Sequence, residues 1–206
     1  MNPLIYERQV FVYHGCDAAV RDRVIQRGEV LQMSRNDYDW LGPGIYFWEH
    51  GPERAMEWAR EQKKRGKIEK PAVLGAVLNL GQCFDLLDAA NTEVLSRAHS
   101  EFCESMKVVG SEIPKNEPLH SKDRDNLLRR LDCAVIDWIL NRLEKRSGVM
   151  YHSVRGVFQE GELVYPESGI RRRSHIQIAV RHPACIVGYF LPSFWQDAQG
   201  SNETTF

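Results

Sequence analysis

The run LGPGIYFWE, residues 41–49, sets two glycines and a proline directly against three aromatics, and no other stretch constrains the chain as much. Glycine reaches backbone angles closed to other residues and lets another backbone or a ligand come close. Tyr46, Phe47 and Trp48 favour an extended, half-buried conformation. The run therefore predicts a tight corner that feeds a core strand.

The flanking sequence supplies partners for that strand. QVFVYH (9–14) alternates and is rich in β-branched and aromatic residues, which predicts a strand ending at His14-Gly15. Asp17 is placed to cap a helix built on Ala18, Val20, Val24 and Ile25 and stopped by Gly28. SRNDYDW (34–40) reads as a polar loop. Pro52 suits a first helical turn, and Ala55, Met56, Trp58 and Ala59 carry that helix to about Arg65. VLGAVLNL (73–80) is an apolar run of strand length, and CFDLLD extends or follows it. Residues 91–106 and 122–146 are the longest helical candidates, with GSEIPKNEP as loop between them. In the second, Leu127, Leu128, Leu131, Val135, Ile139 and Leu143 share one helical face. SVRGVF, SHIQIAV and CIVGYFL then read as strands. Strands first, helices inserted and strands last predict an α+β fold with a mostly antiparallel sheet. The expected organisation is one domain over 1–195, with a helical insertion at about 91–147 and a polar tail, 196–206.

Composition narrows the function. An apolar fraction of 43% in 206 residues is enough for a real core, and a net charge of −1 gives no global attraction to nucleic acid or membrane. Local basic clusters remain: KKRGK (63–67), RR (129–130), RLEKR (142–146) and RRR (171–173). Five scattered cysteines without a C-x-x-C spacing argue against a disulfide framework or a metal site, and for a reducing compartment. The first residues lack a secretion-signal pattern, and no apolar run approaches the roughly 18 residues of a membrane helix. A cytoplasmic enzyme or binding protein is the expectation.

YHG (13–15) at a strand end, followed later by GPGIYF (42–47), resembles the ADP-ribosyltransferase superfamily, in the branch of diphtheria toxin and the poly(ADP-ribose) polymerases. HGC stands where that family has His-Gly-Ser/Thr, GPGIYF matches its G-x-G-x-Y-F, and ERAMEWAR resembles its helix after the tyrosine strand. The resemblance is sharp at residues 12–16 and 41–60 and covers the rest as an order of elements. It implies the family's split, mostly antiparallel sheet, NAD as co-substrate without a metal, and a triad of His14, Tyr46 and a third residue. The family's glutamate position falls on SHIQIAV, which has no acidic residue. Gln177 is the first candidate there and shares a strand face with His175. Glu160, one strand earlier, is the second.

By that resemblance, His14 donates to an adenosine-ribose hydroxyl and the Gly15 main chain pairs with the nicotinamide carboxamide. Tyr46 stacks on the nicotinamide, with Trp58 on its other face or in the core. Gln177 holds the nicotinamide ribose, and Glu160 orients or deprotonates the acceptor. Ser34, Asn36, Gly44 and His175 complete the expected NAD contacts. The implied activity is mono-ADP-ribosylation of nucleic acid such as RNA, or of protein, by a bacterial toxin or anti-phage effector, with an antitoxin as a potential partner. The RRR cluster suits a phosphate-rich acceptor. Two rivals stand beside it. One is an inactive NAD- or ADP-ribose-binding module, supported by the missing glutamate. The other is an NAD-using RNA 2′-phosphotransferase, which shares an early His-Gly.

Overall fold

The computed structural model describes residues 6–119 and 125–193. The expected tail, 196–206, and the start of the helix expected at 122 lie outside the described residues. Among the described residues nine strands and four α-helices follow one another as β1 (Tyr6–Asp17), α1 (Ala18–Arg27), β2 (Ile45–Glu49), α2 (Pro52–Lys64), β3 (Pro71–Gly81) and β4 (Cys83–Asp85). Then come α3 (Ala89–Val108), β5 (Asn116–Glu117), β6 (Leu128–Arg129), α4 (Arg130–Ser147), β7 (Ser153–Phe158), β8 (His175–Val180) and β9 (Ile186–Phe190). Seven strands form one sheet in the order β4-β7-β8-β2-β1-β3-β9; only β4 and β7 pair in parallel. The fold is mixed, with a mostly antiparallel sheet, as the order of elements predicts.

Local signals place most helix ends. Asp17 accepts from the Ala19 N–H at 2.9 Å, and Gly28 closes α1 at φ +67°, where a side chain would be strained. Asp17 also accepts from the Glu69 and Lys70 main chains, and the Ala19 bond together with these two lowers the pKa of its carboxyl.

The helix expected from 122 instead begins at Arg130. Leu127 lies ahead of it, and Leu128 pairs with Glu117 in the small β5–β6 ribbon. Asn116 supplies the reason: its Oδ1 accepts from the Leu131 and Asp132 N–H groups at 3.0 and 3.3 Å. First-turn donors are thus satisfied from a distant segment, so the helix starts there and not at the first apolar residue.

Alternation along each strand divides the core in two. One face buries Val10, Val12, Phe47, Leu78 and Ile178 with Val24 of α1. The other seats α3 and α4 through Phe102, Ile136, Ile139 and Leu140 on Val154, Phe158 and Ala179. α2 packs beside them, with Ala55 against Trp48 and Val73. Among the described residues no helix is long and apolar enough to cross a membrane.

Candidate functional site

β1 lies between β2 and β3 but pairs with them unequally. Its ladder with β3 runs from Gln9↔Asn79 to Asp17↔Pro71, whereas β1 and β2 meet only at Val12↔Glu49 and Tyr13↔Trp48. Beyond Tyr13 the two strands part. The His14 side chain spans the gap, its Nδ1 2.7 Å from the Tyr46 carbonyl oxygen. A carbonyl only accepts, so Nδ1 carries the proton. Burial lowers the His14 pKa, partly offset by that hydrogen bond, and so disfavours the charged ring. In that tautomer Nε2 accepts, whereas the resemblance expects His14 to donate to a ribose hydroxyl.

The splay opens a cleft of about 510 Å³, roofed by α2 and by the loops after α1 and β7. His14, Gly15, Ser34, Asn36, Gly44, Tyr46, Trp58, Glu160, His175 and Gln177 all line it. Ten residues from six separate stretches of sequence thus meet around one cavity.

Several do so for reasons the sequence did not disclose. A Cβ on Gly15 would lie 2.2 Å from the Ala55 carbonyl oxygen, so this glycine lets α2 cross β1. Gly44 spends both main-chain groups on Ser34 (N–H to O 3.1 Å, and 2.9 Å in return), so its backbone is not free for a ligand. A Cβ there would sit 3.0 Å from the Val180 carbonyl. The Tyr46 hydroxyl accepts from the Leu41 N–H at 3.0 Å and donates to the Gly42 carbonyl at 2.8 Å, tying down the corner. Burial raises its pKa well above the ordinary value, and the nearby Asp39 adds to this. Asn36 donates from its main chain to Asp39 and from its side chain to Ser34, which makes the 34–39 loop a self-satisfied polar wall.

Gln177 faces the cleft from β8, opposite Trp48 of β2, and its Oε1 accepts from Trp40 Nε1 at 2.6 Å. Glu160 is buried nearby with an arginine at each oxygen, Arg54 at 2.7 Å and Arg173 at 3.4 Å. His175 donates through Nδ1 to the Arg173 carbonyl at 2.7 Å, stacks on Phe158, and has its pKa lowered mainly by burial. Trp48 Nε1, Arg54 Nε and Nη1, and His175 Nε2 are buried here without a hydrogen-bond partner among the described residues.

Two of the three RRR arginines are ion-paired, and Arg172 is exposed. Arg171 binds Asp125 and the Gly161 carbonyl, Arg172 the Val164 carbonyl, and Arg173 the carboxylates of Glu61 and Glu160. Arg65 and Lys67, from the KKRGK cluster, are the exposed cations that line the cleft.

Sequence reasoning missed Trp40, Arg54 and Phe158. Arg54 had a signal, since it precedes Trp58 by one helical turn and shares its face. Trp40 had none, because its partner is 137 positions away. Among the described residues no three His, Cys, Asp or Glu side chains cluster as metal ligands. Comparisons with protein-family models, curated proteins and solved structures find no match.

Proposed function

We propose that the chain is a mono-ADP-ribosyltransferase that uses NAD as co-substrate and modifies a macromolecular acceptor. The observation that carries this reading is the meeting of His14, Tyr46 and Gln177 at the mouth of the β1–β2 splay, in one cleft walled by aromatics. NAD binds bent, with its hydroxyls near the free Nε2 of His14 and its nicotinamide against Tyr46. Aromatic contacts of this kind contribute about 0.5–1.5 kcal/mol each. The bond between nicotinamide nitrogen and C1′ breaks and nicotinamide leaves as a neutral amide. An acceptor atom bonds to C1′ and releases its proton. The protein's work is positioning and electrostatic stabilisation of the oxocarbenium-like sugar.

A binding module without turnover is the second reading, favoured by Gln177 in place of a carboxylate and by the ion-paired state of Glu160. Labelled NAD incubated with the protein and cellular extract separates the two. Label transferred to RNA or protein supports the transferase; retained NAD affinity with neither transfer nor hydrolysis supports the module. Tyr46→Ala is expected to abolish transfer and Tyr46→Phe to preserve the ring contact. No NAD binding at all would overturn both readings.

A further inference from the structure

Gln177 is the first candidate for the third triad position, which the resembled family fills with Glu, Asp or Gln, and an amide, unlike a carboxylate, has two different ends. Which end faces the ligand decides what the cleft can recognise. Trp40 makes that decision. Its indole N–H is a donor and nothing else, so the group 2.6 Å from Nε1 has to be the Gln177 carbonyl oxygen. Reversing the amide would set N–H against N–H, losing the bond and placing two donors in contact. The Nε2 amino group is thereby turned away from Trp40.

Trp40 is itself held from three sides. Its ring lies on Gly156, where a Cβ would come within 2.7 Å of Cη2. It meets Phe158 edge-on at 5.2 Å between ring centroids, and the Arg129 guanidinium lies 5.8 Å over it. Arg129 is in turn paired with Asp132 in the first turn of α4. The indole cannot swing aside to accept a second amide orientation.

We infer that Trp40 is a positioning residue that locks Gln177 with its amino group toward the cleft, so that position 177 recognises a hydrogen-bond-accepting oxygen of the ligand. On the NAD reading, which supplies only the identity of the ligand, that oxygen belongs to a hydroxyl of the nicotinamide ribose. A locked amide also takes no proton, so Gln177 orients the sugar and does not act as a base.

The test separates this lock from the NAD reading by starting without ligand. In ¹H–¹⁵N spectra of the full chain, the Trp40 indole N–H should exchange slowly with deuterated solvent. Gln177→Met should shift that signal and speed its exchange; a signal indifferent to Gln177→Met overturns the inference. NAD affinity is then measured for Trp40→Phe with either residue at 177. With Gln177 present, freeing the amide should weaken binding about fivefold, the worth of one hydrogen bond. In the Gln177→Glu background the same change should cost less than about twofold, because a carboxylate has two equivalent oxygens and needs no orienting. An equal loss in both backgrounds would make Trp40 a mere wall and overturn the positioning role. An intact indole signature with no NAD binding would remove the NAD reading and leave the lock standing.

Discussion

His14 shows how one residue carries structure and chemistry together. It replaces a missing ladder bond between β1 and β2, and that same contact fixes its tautomer. Burial depresses the pKa values of both His14 and His175. Below the ordinary imidazole pKa of about 6.5, the unfolded chain binds protons that these folded rings resist. Stability from this source is therefore intact above that pH and falls as the pH drops. Thermal melts between pH 7.5 and 5.5 should show a declining Tm, with a shallower slope in His14→Gln, which cannot take the proton. An unchanged slope would assign the proton uptake to other groups.

At the scale of elements, α2 and β1 are in contact through backbone. Gly15 was legible as a glycine that permits close approach, but the approach is by the Ala55 carbonyl of the neighbouring helix. A methyl group at 2.2 Å forces α2 to shift, and overpacking of this kind costs about 1–3 kcal/mol. Gly15→Ala should lower the unfolding free energy by that amount, read as a lower urea midpoint with an unchanged m-value. A variant as stable as the parent would show that α2 yields freely. The start of α4 teaches the converse. Apolar periodicity read Leu127 and Leu128 into the helix, yet the Asn116 side chain, contributed from β5, decides where it begins.

Across the whole sheet, one buried cation joins three strands. Arg155 of β7 binds Glu49 of β2 through two hydrogen bonds and Asp85 of β4 at 3.1 Å, all three buried. The network lies on the sheet face opposite Gln177, since Arg155 is one residue before Gly156, the partner of Gln177. Arg155→Met would leave buried Asp85 without its arginine and Glu49 with only the exposed Arg8 at 3.6 Å, and breaking a buried pair costs about 3–5 kcal/mol. Its deficit in denaturant titration should shrink as the pH falls toward the carboxylate range, because unpaired buried acids favour protonation. A deficit independent of pH would indicate lost packing alone.

The sequence by itself determined what depends on neighbours along the chain. Alternation in QVFVYH, the caps at Asp17 and Gly28, and Pro52 opening α2 all act within a few residues. His14, Tyr46 and Gln177 were named through a family resemblance whose motifs fall on strands that local pattern predicts, and all three line one cleft. Tertiary structure alone decided which polar groups remain for a ligand. Gly44, Arg171 and Arg173 look available as sequence and are engaged by partners elsewhere in the chain. The donor sense of Gln177 depends on an indole 137 positions away. Hydrogen bonds have direction and each donor serves few acceptors, so what a side chain offers is settled only when its partners have been placed in space.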